Sequence, residues 1–87
     1  MPESNNRRIA VLGGGSWGTA LAIQVARAGH NVTLWDINPE HISAMQQSHS
    51  NEQYLPGIPL PANLQLSDQL EQTLKQADTI LLAIPSH

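Results

Sequence analysis

Ile9 to Gly18 reads I-A-V-L-G-G-G-S-W-G, an apolar run that breaks straight into glycines. Gly13, Gly15 and Gly18 have the spacing G-x-G-x-x-G, which serves phosphate chemistry when a strand precedes it and a helix follows. Ile9–Leu12 supplies the strand, and the run from Thr19 to Ala28 supplies the helix. In that setting Gly13 allows a tight turn, Gly15 lets a pyrophosphate approach the backbone, and Gly18 lets helix and strand pack closely. Gly14 lies in the same loop and joins them as a candidate for cofactor contact. The helix start presents unpaired N–H groups and the positive end of its dipole to a phosphate, and Ser16 adds a hydroxyl there.

A later acid completes the pattern. Asn31-Val32-Thr33-Leu34-Trp35 is rich in β-formers, and Asp36 sits at its carboxyl end. A carboxylate roughly 20 residues past the glycines commonly accepts hydrogen bonds from the adenine ribose of a dinucleotide. The alternative is that Asp36 only starts the Asp-Ile-Asn-Pro turn. The 2′-phosphate of NADP is normally answered by Arg or Lys. Asp36-Ile37-Asn38 offers neither, so the cofactor is NAD or NADP with NAD favoured.

The elements that must position these residues alternate in type. Gly29 suits the left-handed position that stops a helix. Asn38-Pro39 starts another, with Asn as cap and Pro at the first helical position, and Ile42 and Met45 facing the sheet over 39–48. Asn51–Asn63 contains Pro56, Gly57, Pro59 and Pro61, so no regular structure is expected there. Leu64-Gln65-Leu66 reads as a short strand. Ser67-Asp68 opens a helix with Leu70, Leu74 and Ala77 on one stripe. Thr79–Ile84 is a continuous apolar run, as in a strand buried on both faces. Strand, helix, strand, helix, strand, helix, strand implies a parallel sheet with right-handed crossovers. The fold class is therefore α/β, a Rossmann-like parallel sheet comprising the first four strands of a doubly wound domain. Residues 1–6 read as a frayed polar tail, and residues 7–87 as the amino-terminal part of a dinucleotide-binding domain. The second half of that domain and a substrate domain are expected to follow, and the last apolar strand is expected to expose surface without them.

Composition excludes several classes. The 87 residues carry a net charge of −3 with only four Lys and Arg, too few to track a nucleic-acid backbone. Arg7 and Arg8 are expected to flank a strand in solvent. There is no cysteine, hence no disulfide, thiolate metal site or thiol catalysis; this suits a cytoplasmic protein. No apolar stretch approaches the roughly 20 residues that span a membrane. His41 and His49 lie about 12 Å apart along a helix, too far to share one ion at about 2 Å, and no metal site is expected. Glu40, Glu52, Glu71 and Asp78 fall on helix surfaces or loops and form no acid–base pair.

Three stretches carry a resemblance. Gly13–Ala22, Asn51-x-x-Tyr54-Leu55-Pro56-Gly57-Ile58-x-Leu60-Pro61 and Ala83-Ile84-Pro85-Ser86-His87 together resemble the amino terminus of NAD(P)-dependent glycerol-3-phosphate dehydrogenases. The glycine spacing is shared by many dehydrogenases, whereas Ser16-Trp17-Gly18-Thr19 with the Tyr-Leu-Pro loop is more specific. The resemblance implies reversible reduction of dihydroxyacetone phosphate to sn-glycerol 3-phosphate, feeding phospholipid synthesis, in a protein compatible with a homodimer. It implies catalytic lysines beyond residue 87, and the one lysine here, Lys75, matches no catalytic motif. Ser16 and Trp17 match positions that contact the cofactor. Trp17 alternatively packs in the core, on a stripe with Leu21, Val25 and Ala28. Tyr54 borders the cofactor cleft or anchors the Pro-rich loop, and Pro85 follows the last strand at the edge where open α/β sheets bind ligands. Trp35 is expected to pack against a helix. NADP-using members often carry a basic residue after the second strand, and this chain departs from them at Asp36-Ile37-Asn38. Two other readings stand beside this one: an enzyme of 3-hydroxyacyl-CoA dehydrogenase type, suggested by Val32–Pro39, and a nucleotide-binding sensor without hydride chemistry.

Overall fold

In the computed structural model, residues 7–83 are described; Ile84, the Pro85 candidate and the proposed tail at 1–6 lie outside them. β1 (Arg8–Leu12) leads through α1 (Ser16–Arg27) to β2 (Asn31–Trp35), and α2 (Pro39–Ser48) follows. The chain then forms a small hairpin, β3 (Ser50–Asn51) and β4 (Leu55–Pro59), before β5 (Leu64–Ser67), α3 (Leu70–Gln76) and β6 (Thr79–Leu82). The sheet has the order β5-β2-β1-β6 with every pairing parallel. Two crossovers step outward from β1 on one side, and the third returns to its other side. That reversal places a switch point beside β1 at the carboxyl ends, where open α/β sheets bind ligands.

Burial alternates along β2, whereas in the central strand β1 Ile9, Ala10 and Val11 are all buried. Ile9, Val11, Val32, Leu34 and Leu64 form the core with Ala22, Ile23 and Ala26 of α1 and Ile42 and Met45 of α2. Small residues on α1 let its axis approach the sheet closely. Gly29, at φ 100°, follows the end of α1. Asn38 caps α2 by accepting from the Glu40 N–H at 3.0 Å, with Pro39 at the first helical position.

Four local expectations are corrected. The Pro-rich stretch is not irregular: β3 and β4 pair antiparallel with a register shift, a short edge arrangement that tolerates proline. α3 starts at Leu70, because Ser67 belongs to β5. The buried residue of α3 is Thr73, while Leu70 and Leu74 are exposed; the Thr73 hydroxyl donates to the Gln69 carbonyl at 2.7 Å and contacts Ser67 Oγ at 3.1 Å. Lastly, β6 is not buried on both faces. It is the sheet's edge beside β1, with Ile80 46% and Leu82 64% exposed.

Candidate functional site

β1 ends at Leu12 and the chain turns at Gly13, whose φ of 122° disfavours any residue with a side chain. The Gly13 N–H donates to the Trp35 carbonyl at 2.8 Å, and the Ala83 N–H donates to the Leu12 carbonyl at 2.9 Å. The loop therefore leaves the sheet at the switch point. Each glycine meets a different environment. A Cβ on Gly18 would lie 1.8 Å from the Gly13 carbonyl oxygen, so the first turn of α1 rests directly on the loop. A Cβ on Gly14 would lie 2.7 Å from Asp36 Oδ2, so the loop also lies against the acid. Gly15 differs: among the described residues, its two chain neighbours aside, nothing stands within 4 Å of where its Cβ would be. Its φ of −76° and ψ of −167° are ordinary extended backbone. Packing among the described residues makes no use of a missing side chain at Gly15. Such an open, backbone-lined place before a helix N-terminus is what a pyrophosphate needs.

Asp36 is held on both sides. Its N–H donates to the Ser67 carbonyl at 3.2 Å, and Oδ1 accepts from the Asn38 N–H at 3.2 Å. It thus starts the turn, as the simpler alternative has it. An ionised carboxylate accepts about four hydrogen bonds, so one turn contact leaves acceptor capacity for ribose hydroxyls. Oδ2 faces Gly14 and lies 4.0 Å from His41 Nε2.

A buried polar cluster lies beneath the loop. The Gly14 carbonyl accepts from Asn51 Nδ2 at 2.9 Å, from His41 Nε2 at 3.0 Å and, more weakly, from Thr19 Oγ1 at 3.4 Å. A carbonyl only accepts, so this contact assigns the proton of His41 to Nε2. Asn51 Nδ2 also donates to Thr19 Oγ1 at 2.7 Å, and Asn51 Oδ1 accepts from the Tyr54 N–H at 3.3 Å. All three donor side chains are buried. The Tyr54 ring stands edge-on to His41, with centroids 5.3 Å apart.

The fold therefore gathers Gly13, Gly14, Gly15, Ser16, Trp17, Gly18 and Asp36 at one edge, and brings Tyr54 alongside through His41. Trp17 is 64% exposed, which removes the alternative that it packs in the core. The buried face of α1 is Gly18, Thr19, Ala22, Ile23 and Ala26, turned by one position from the stripe headed by Trp17. Trp35 is half-buried, with its Nε1 unpaired. Sequence reasoning passed over Thr19, Asn51 and the role of His41. One signal was present: His41 shares the inward face of α2 with Met45, four residues on. Among the described residues no group of three or more His, Cys, Asp or Glu is placed to hold a metal, and no helix is long and apolar enough to cross a membrane.

A family described as NAD-dependent glycerol-3-phosphate dehydrogenase N-terminus matches residues 8–87. The chain is 52% identical over 83 residues to glycerol-3-phosphate dehydrogenase [NAD(P)+] of Legionella pneumophila, strain Corby, covering 95% of this chain and 25% of that protein. Its counterpart in Bartonella tribocorum is 49% identical over 79 residues, covering 91% and 24%. A crystal structure of glycerol-3-phosphate dehydrogenase from Coxiella burnetii superposes with a TM-score of 0.87 at 42% identity, covering 93% of this chain and 25% of that one. The chain thus spans about a quarter of the length of the curated relatives it matches.

Proposed function

Because the chain belongs to the NAD-dependent glycerol-3-phosphate dehydrogenase family, in its amino-terminal part, we propose that it is the cofactor-binding portion of an enzyme that reversibly reduces dihydroxyacetone phosphate to sn-glycerol 3-phosphate. In this reading residues 7–87 begin a dinucleotide-binding domain. The rest of that domain, a substrate domain and the catalytic lysines follow in a homodimeric, cytoplasmic protein whose product feeds glycerophospholipid synthesis. The observation that carries it is the open flank of Gly15 at the switch point, with Asp36 on the same edge.

The nicotinamide cofactor supplies the hydride. The work of this chain is binding and orientation. Gly15 and the α1 N-terminus receive the pyrophosphate on backbone N–H groups, with the Ser16 hydroxyl as a further donor. Asp36 accepts from the adenine ribose, Trp17 and Tyr54 supply aromatic surface at the mouth, and Pro85 follows the strand bordering the cleft. Carboxylate rather than cation at Asp36 favours NADH. Calorimetric titration of the full-length protein with NADH, followed by oxidation of NADH in the presence of dihydroxyacetone phosphate, tests the reading. Saturable binding of one NADH per chain and ketone-dependent turnover support it. Absence of NADH and NADPH binding overturns it.

A further inference from the structure

We propose that Asn51, with His41, is a positioning residue for the cofactor pyrophosphate, acting by fixing the orientation of the Gly14–Gly15 peptide. The inference rests on the dinucleotide-binding reading above. Neither residue lies in the glycine loop: Asn51 ends β3 and His41 is in α2. Both nevertheless terminate on one backbone atom, the Gly14 carbonyl oxygen.

A trans peptide is planar, with its C=O and its N–H pointing in opposite directions, and the described residues contain no cis peptide. Drawing the Gly14 oxygen inward therefore turns the Gly15 N–H outward, toward the open flank. Nothing in the loop itself enforces that choice. Glycines at 13, 14 and 15 leave the peptide with little steric restriction, and a flipped peptide would aim a carbonyl at an incoming phosphate. The donors decide the orientation. Asn51 is fully buried, and both hydrogens of its amide are used, one on Gly14 and one on Thr19 Oγ1. Its oxygen is held by the Tyr54 N–H, so the amide has one orientation. Reversing it would set Oδ1 against the Gly14 oxygen, acceptor against acceptor. His41 adds a second donor from another element and a ring contact to Tyr54. The hairpin and α2 thereby act on phosphate binding without touching the phosphate.

Asn51→Asp keeps the shape and removes the donors, and His41→Phe keeps a ring against Tyr54 while removing one donor. Both are made in the full-length protein and titrated calorimetrically with NADH, which reports affinity and the number of sites together. The orientation role predicts a Kd about tenfold or more higher in Asn51→Asp, with one site per chain retained in the folded fraction. His41→Phe is expected to fall between it and the wild type, since Asn51 still holds the carbonyl. A role confined to stability lowers the melting temperature and the number of sites but leaves Kd within twofold of wild type. That result in His41→Phe and in any folded Asn51→Asp overturns the inference while leaving the cofactor reading intact. A wild-type protein that does not bind NADH removes both.

Discussion

At the scale of single residues, two glycines three positions apart answer to different demands. Gly18 is required by the fold, because a Cβ would collide with the Gly13 backbone carbonyl at 1.8 Å. Backbone cannot swing aside as a flexible side chain does. Gly18→Ala should therefore destabilise the protein by about 3 kcal/mol or more, at or beyond the usual range for overpacking. Gly15→Ala meets open space in a backbone conformation open to alanine, so its melting temperature should stay close to wild type. Its added methyl instead occupies the pyrophosphate's path, and NADH affinity should fall about tenfold or more. Thermal melts and calorimetric titrations of the two variants check the contrast, and unchanged affinity in Gly15→Ala would make the loop structural only. Asp36 sets a second expectation. A hydrogen bond to a charged group contributes about 1.5–3 kcal/mol, so kcat/KM should favour NADH over NADPH by about tenfold or more. A higher kcat/KM with NADPH would show that Asp36 is not the selector.

At the scale of elements, α2 ties the turn after Asp36 to His41, so its start matters to the site. Asn38 accepts from the Glu40 N–H at 3.0 Å, and Asn38→Ala should cost about 1 kcal/mol, the usual worth of such a cap. Chemical denaturation of the full-length variant measures it, and an unchanged midpoint would mean that α2 is held by packing of Ile42 and Met45 alone. That cap was legible in Asn38-Pro39, as were the strand before the glycines and the parallel order, because each depends on local residue type and periodicity. What stayed hidden was set by distant partners. The pairing of Ser50 and Asn51 with the strand at Leu55–Pro59 overrides the proline signal. Thr73 replaces the leucine stripe as the buried residue of α3, its hydroxyl satisfied by the local Gln69 carbonyl while the face it occupies is set by packing of the whole helix. Asn51 and Thr19 are polar residues in a region where burial was the signal sought. Their value lies in meeting the Gly14 carbonyl, contacts that cross 37 and 5 positions of sequence.

At the scale of the whole molecule, the described residues gather the proposed cofactor edge but no reaction centre. Hydride transfer to a ketone needs the second substrate held beside the nicotinamide and a group that polarises the carbonyl or delivers a proton. Among the described residues the carboxyl-end edge offers backbone N–H groups, Ser16 and the Asp36 carboxylate, none of which is a cation aimed at a ketone oxygen. Lys75, the one lysine, is in the last turn of α3. That turn leads into β6 at its amino end, where the Asp78 N–H donates to the Arg8 carbonyl at 2.7 Å. Lys75 is thus at the end of the sheet opposite the glycine loop. Ile80 and Leu82 stand exposed on the edge strand β6. The 87-residue chain alone should therefore oxidise no NADH in the presence of dihydroxyacetone phosphate beyond a buffer control, while the full-length protein turns over. Following NADH absorbance for both at equal concentration is the check. Turnover by the short chain would mean that its own residues supply the proton, and the assignment of the catalytic groups to positions beyond residue 87 would fail.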